Sequence, residues 1–170
     1  IETFIFGNHG LMVEGRCSLT NYLTGQSTNM DGVCSPASDV DYARHADGSM
    51  SSQLAGFTID CFGPDEKAGY PTICKGRYTA PHRTEGYYAF EEPVSLNLSR
   101  LLPELIEAGV HAFKIEGRQR SKSYVRGVVR AFRKAVDDIR AGREANMADL
   151  VALTEGQKQT QGAFETKKWR

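Results

Sequence analysis

The second half of the chain alternates helix and strand signatures with almost nothing between them, and that alternation limits the fold more than any other feature. Leu98, Leu101, Leu102, Leu105 and Ile106 recur at helical spacing, and Gly109 stands where such a helix would stop. Ser95 or Asn97 is the expected cap of this helix, which runs to Ala108. Val110 to Ile115 reads as a short strand ending at Glu116-Gly117. A longer helix then reaches Ala141, with Val125, Val128, Val129, Phe132, Val136 and Ile139 on its inward face and Gly142 beyond its end. Its Arg126, Arg130 and Arg133 or Lys134 are left wet or facing a partner. Met147 to Leu153 is expected to add one short helix. Helix, strand and helix joined by short connectors form half of an α/β layer or barrel.

The first half is less regular. Ile1 to Phe6 is β-branched and aromatic, reads as a buried strand, and stops at Gly7-Asn8-His9-Gly10. Ser18 is the expected cap of a short helix through Leu23, closed by Gly25. Residues 25–37 are rich in Gly, Ser, Asn, Asp and Pro and contain Cys34, and an irregular segment of that length is often functional or tied to a cofactor. Residues 52–61 and 84–91 look like strands, and between them a loop from Pro64 to Pro71 leads to Cys74 and Lys75-Gly76-Arg77-Tyr78. The expected organisation is therefore residues 1–94, a strand plus a cysteine-bearing region, and residues 95–170, a helix–strand–helix segment with a polar tail. That tail carries apolar anchors at Phe164 and Trp169.

Composition narrows the class without naming a function. At 170 residues, zero net charge and 40% hydrophobic content, the chain is neither a disordered tail nor a low-complexity array. No run of 18 apolar residues offers a membrane span, and no basic and apolar leader is visible, so the reducing cytosol is the expected compartment. The chain opens on Ile rather than Met, directly on a strand, and is expected to be a piece of a longer protein or a processed product. Residues 1–80 hold 9 acids and 5 bases, whereas residues 81–170 hold 12 acids and 16 bases. The excess gathers in Lys114, Arg118, Arg120, Lys122, Arg126, Arg130, Arg133 and Lys134, against Glu116 alone. Such a stripe is either a solvated helix face or a surface for phosphate, an anionic small molecule or an acidic partner.

The cysteines at 17, 34, 61 and 74 include no C-x-x-C pair, which removes the zinc-ribbon and thioredoxin-like motifs. Spacing alone leaves them as buried small hydrophobes, the simpler reading, or as metal ligands. Hydrolytic signatures are weak, with no G-x-S-x-G, H-E-x-x-H or P-loop. His9, His45, His82 and His111 show no local partner pattern, and Glu91-Glu92 before Pro93 reads more simply as a surface pair than as a catalytic carboxylate. Lys114-Ile115-Glu116-Gly117-Arg118 places Glu116 and Arg118 at the C-terminal end of a strand, where α/β folds put ligand sites, although a structural Glu–Arg pair serves equally well.

These residues carry a resemblance. Glu2-x-Phe4-x-x-Gly7, followed by Gly15-x-Cys17-Ser18, resembles the signature of the collagenase-like peptidase family U-32. Residues 12–25 (Met-Val-Glu-Gly-Arg-Cys-Ser-Leu-Thr-Asn-Tyr-Leu-Thr-Gly) are similar to that family's ubiquinone-biosynthesis branch. So are residues 68–78 (Ala-Gly-Tyr-Pro-Thr-Ile-Cys-Lys-Gly-Arg-Tyr), 101–105, 114–118 and the tail from Glu155 through Phe164. The resemblance spans nearly the whole chain and implies the C-terminal half of a longer protein. The fold it implies is α/β, the C-terminal part of a (β/α) barrel-like domain with a cysteine-bearing loop insertion.

The function implied by the resemblance is oxygen-independent (anaerobic) hydroxylation of a ubiquinone precursor, working with a homologous UbiV-like subunit and a prephenate-like oxygen donor. A family-related hydroxylation of tRNA or rRNA, or a nucleic-acid-binding module on the basic stripe, is the alternative. A U-32-type peptidase stands third, because no nucleophile–base pair is apparent in the sequence. The cofactor implied is a four-iron four-sulfur (4Fe-4S) cluster, with Cys17, Cys34 and Cys74 matching three of four family ligands. The fourth family cysteine is replaced here by Gly10. An open iron position, His9 and Cys61 are, in that order, the expected solutions. Lys75 and Arg77 beside Cys74 are expected to favour its thiolate, and Glu116 and Arg118 are the expected polar site residues, Arg118 for an anionic group.

Overall fold

The computed structural model describes residues 1–8, 17–28, 32–118, 120–151, 153–154 and 158–164. The chain divides into two compact units, Ile1–His9 with Val94–Arg170, and Gly10–Pro93. The first strand belongs with the C-terminal segment, because β1 (Glu2–Asn8) pairs in parallel with β8 (Ala112–Ile115) and antiparallel with β7 (Val94–Asn97). Since Asn8 lies opposite Ser95, the whole cysteine-bearing segment leaves the sheet between two strands that are direct neighbours.

In this α/β unit β9 (Lys158–Thr160) completes a mixed sheet of order β8-β1-β7-β9. Ile5 and Phe6 on β1 are fully buried, as expected of a central strand. They meet α2 (Leu102–Glu107) and α3 (Lys122–Arg140), whose Leu102, Leu105, Val128, Phe132, Ala135 and Val136 form one apolar cluster with Leu98 and Leu150. Phe6 and Phe132 pack edge to face, ring centroids 5.6 Å apart. A fourth short helix, α4, spans Ala148–Val151. Gly7 is required where β1 meets the end of β8, because its φ is +135° and a Cβ there would sit 2.5 Å from Cβ of Glu116.

Two expectations for this unit are corrected. Ser95 lies inside β7, so the helix start falls later, with a 3-10 turn at Ser99–Leu101 whose Ser99 N–H donates to Asn97 Oδ1 at 3.0 Å. Val129 does not face the core. It is 47% exposed, and Ala135 takes the inward place, because the apolar stripe of α3 runs through 128, 132, 135 and 136. Ser121 caps α3 by accepting from the Tyr124 N–H at 3.1 Å.

The Gly10–Pro93 unit holds helix α1 (Ser18–Thr24), a three-stranded antiparallel meander and a two-stranded hairpin. The meander is β2 (Val40–Arg44), β3 (Met50–Leu54) and β4 (Phe57–Phe62), and the hairpin is β5 (Arg77–Ala80) with β6 (Arg83–Tyr88). The single strand expected over 52–61 is two strands. Ala55 and Gly56 both take positive φ, the geometry of a tight two-residue hairpin turn. The helix cap is Cys17 rather than Ser18, since Cys17 Sγ accepts from the Thr20 N–H at 3.5 Å. Trp169 and residues 9–10 lie outside the described residues. No helix among the described residues is long and apolar enough to cross a membrane.

Candidate metal centre

All four cysteines lie in the Gly10–Pro93 unit, and Cys17 and Cys34 come near enough to Cys74 for charge on them to act on its thiol. Cys17 caps α1, Cys34 sits in irregular backbone, and Cys74 rides a 3-10 turn (Ile73–Lys75) against which α1 packs. Cys17 and Cys74 are buried and Cys34 is half-buried. Burial pushes the Cys74 thiol up to about 11; Lys75 works against that, and negative charge on Cys34 and Cys17 adds to it. The three sulfurs therefore share one electrostatic neighbourhood. The expectation that Lys75 and Arg77 would favour the Cys74 thiolate is corrected on two counts. Burial outweighs the Lys75 charge, and the Arg77 guanidinium is engaged elsewhere.

Backbone approach fixes this turn. A Cβ at Gly76 would lie 2.4 Å from the Ile59 carbonyl oxygen and 2.6 Å from the Tyr78 hydroxyl, so β5 can start beside β4 only with glycine there. The Tyr78 hydroxyl donates to Ile73 O at 2.6 Å, and burial together with the nearby Cys74 charge pushes that phenol up to about 12. Tyr70 ties the Cys34 loop to the same region by donating to Ser35 O at 2.9 Å. Lys75 is only 6% exposed, and its ammonium pairs with the Glu91 carboxylate, whose own N–H donates to Cys74 O at 3.3 Å. Glu91 is thus no surface acid: it neutralises a buried cation behind Cys74.

Arg77 organises the neighbouring surface. Its Nε donates to Asp60 at 2.6 Å and its two terminal nitrogens reach Glu66 at 2.9 and 3.0 Å, while the cation lies over the Phe62 and Tyr88 rings. Burial raises the Asp60 carboxyl although Arg77 opposes it; burial also acts to raise Glu66, but hydrogen bonds from Arg77 and the Gly63 N–H hold that carboxyl below its ordinary value. Cys61 stands exposed on β4, its carbonyl accepting from Arg77. Gly10, at the position the resemblance gives to a fourth cysteine, and its neighbour His9 lie outside the described residues.

The donor set suits a cluster better than a single ion. Among the described residues no three His, Cys, Asp or Glu side chains converge on one point. A cubane takes one thiolate at each iron, so its ligands stand around the cluster instead of meeting at one centre. A second observation fits the same group. The Thr20 hydroxyl, one helical turn from Cys17, is buried at 1% exposure with no hydrogen-bond partner among the described residues. The Thr20 backbone N–H already donates to Cys17 Sγ, and a further sulfur acceptor would satisfy the hydroxyl.

Glu116 and Arg118 lie, as expected, just past the C-terminal end of β8 in the other unit. The Glu116 carboxylate accepts from the Arg118 N–H at 2.7 Å and so holds its own turn. A nucleophile–base contact invisible in the sequence joins His45 Nε2 to Ser51 Oγ at 3.2 Å across the β2–β3 hairpin. Ser51 is 5% exposed, and the nearby Asp47 carboxylate is spent on the Ser49 N–H and hydroxyl. The contact lacks an accessible nucleophile and an orienting third group, so it braces the hairpin.

Comparison with known proteins finds relatives over most of the chain. The chain is 30% identical over 137 residues to tRNA hydroxylation protein P1 of Bacillus subtilis, covering 81% of this chain and 26% of that protein. It is 28% identical over 168 residues to tRNA hydroxylation protein P of Escherichia coli, covering 90% of this chain and 37% of that protein. An uncharacterized protease of Methanocaldococcus jannaschii is 26% identical over 144 residues, covering 84% of this chain and 28% of that protein. The chain thus spans well under half the length of these relatives. No solved structure matches it significantly. Residues 1–168 match the model of peptidase family U32, and the chain belongs to that family.

Proposed function

We propose that this chain is the part of a tRNA-hydroxylating protein that supplies Cys17, Cys34 and Cys74 as three ligands of a 4Fe-4S cluster. The gathering of these thiols in one unit carries the reading, and the names of the bacterial relatives support the substrate. When bound, a cluster of this type supplies one-electron transfer. The residues around it have separable tasks. The Thr20 N–H orients the Cys17 sulfur, and the Thr20 hydroxyl offers a further donor. Lys75 and Glu91 keep a neutralised pair behind Cys74, and Tyr70 and Tyr78 pin the two ligand loops by their hydroxyls. An open iron position is the first choice for the fourth site, then His9, then Cys61.

Converting C–H to C–OH withdraws two electrons from the substrate, so without dioxygen a co-reactant must accept them; a prephenate-like donor that gives up its hydroxyl oxygen and is itself reduced by two electrons is the reagent proposed. Arg118, at the end of β8, is the cation proposed for its anionic group, with Glu116 locked beside it by the Arg118 N–H. The α/β unit is proposed as the C-terminal part of a (β/α) barrel-like domain, a UbiV-like homologous subunit as the partner, and the cytoplasm as the compartment.

The runs 12–25 and 68–78 favour a second reading, in which an isoprenoid quinone precursor is hydroxylated instead. Mass spectrometry of tRNA nucleosides and of quinone intermediates, from anaerobic cells carrying Cys74→Ser, separates the two. Loss of a hydroxylated tRNA nucleoside with normal quinone is expected. Blocked quinone synthesis with normal tRNA moves the function to the second reading, and no change in either overturns both.

A further inference from the structure

The basic stripe read from the sequence divides in the structure. Four of its eight cations are already engaged. Lys114 lies over the Phe4 ring and 3.9 Å from Glu2, and Arg120 stacks on Tyr124. Arg133 pairs with Asp137 and Lys134 with Asp138, both at i,i+4 along α3. The other four, Arg118, Lys122, Arg126 and Arg130, are exposed and make no ion pair among the described residues, and the last three lie on α3. They stand four residues apart on one face of α3, about 6 Å between successive positions.

Helix stability does not account for this column. Like charges at i,i+4 repel by a few tenths of a kcal/mol per pair. Cations near a helix N-terminus also oppose the macrodipole, and the first turn of α3 has no acid to balance Lys122. The C-terminal half of the same helix does the opposite, since both of its i,i+4 cations have acids. One helix thus neutralises one half and leaves the other uncompensated, at two small costs that a polyanion would offset.

We infer that the Lys122–Arg126–Arg130 face of α3 docks the phosphate backbone of RNA. The face belongs to the α/β unit and the cysteines to the Gly10–Pro93 unit, and only the identity of the polyanion rests on the tRNA reading. Three cations in a row at this separation address successive phosphates of one strand without reading bases, so the contact positions the RNA and leaves sequence choice to other residues. An acidic helix can present carboxylates at the same spacing of about 6 Å, so the choice of RNA over an acidic protein rests on the tRNA reading.

The test titrates bulk tRNA against the protein that carries this chain, over a series of salt concentrations, for wild type, the triple variant K122Q/R126Q/R130Q and the control R133Q/K134Q. The triple is expected to flatten the slope of log affinity against log salt by about 2 to 3 and to weaken binding at low salt. The control is expected to change the slope by less than about 1. Arg126→Glu alone is expected to weaken binding more than Arg126→Gln, with circular dichroism unchanged for every variant. An unchanged slope in the triple overturns the proposal, as does an equal loss in the control. A triple that keeps tRNA affinity but loses its protein partner overturns it in favour of an acidic protein. Hydroxylation of tRNA is assayed in parallel: salt-dependent binding without it refutes the functional reading and leaves the docking face standing, whereas hydroxylation with an unchanged triple refutes the face alone.

Discussion

Thr20 shows how a single side chain reports on what a site is for. A buried hydroxyl without a partner costs about 1–3 kcal/mol, and the described protein gives this one none. Thr20→Val keeps the shape and removes the stranded group, so the metal-free protein is expected to gain about 1 kcal/mol in an anaerobic urea melt. A loss of that size instead would mean the hydroxyl has a protein partner and is not held for a sulfur acceptor. Gly76 marks the same place from the backbone side, where β4 and β5 close to a distance that admits no Cβ. Neither role is legible in the sequence: Thr20 looks like any helix residue, and Gly76 reads as loop punctuation. The cysteines were visible as residues but not as a group, because spacings of 17 and 40 residues say nothing until the fold brings the segments together. Only the resemblance singled out three of the four.

At the scale of elements, legibility followed apolar patterning. Helix α3 is amphipathic and capped, so its span was readable to within a residue or so, and only Val129 was misassigned at the edge of the stripe. That edge gives a sharp contrast. Val128→Asp buries an unpaired charge and is expected to cost about 3–5 kcal/mol in a denaturant melt, whereas Val129→Asp is expected to cost under about 0.5 kcal/mol. Equal losses would place the two on one face and contradict the packing. Asp138 supplies a second test on the same helix. Hydrogen bonds from Lys134 and Arg143 hold its carboxyl below the ordinary 3.8. Because the folded value is depressed, its contribution is complete above 3.8 and is lost as pH falls through the folded value. The stability gap between wild type and Asp138→Asn is therefore expected to close on acidification below 3.8, in melts followed across pH; a gap that widens there would contradict the pairing. Strands β2 and β5 escaped sequence reading for the converse reason. Val40–Arg44 is five residues long and mostly exposed, so no buried face marks it, and Arg77–Ala80 is four residues long.

Over the whole molecule, the chain builds an α/β unit and sends out a cysteine-bearing unit between two strands that pair directly. The α/β character was legible because helix, strand and helix follow one another within the second half. The membership of β1 in that unit was not, since a partner more than a hundred residues away leaves no local trace. The proposed roles divide the same way: the three candidate ligand cysteines lie in the inserted unit, and the uncompensated cations lie on α3 of the other. The claim that joins these parts is that Cys17, Cys34 and Cys74 hold iron and sulfide together. Its most direct measurement is iron and acid-labile sulfide content, with EPR of the reduced state, on anaerobically reconstituted wild type, Cys17→Ser, Cys34→Ser, Cys74→Ser and Cys61→Ser. Wild type and Cys61→Ser are expected to retain both elements and a cluster signal, and each of the other three to lose them. Full retention of iron and sulfide in Cys17→Ser or Cys74→Ser, or a wild type that binds neither, would contradict the account.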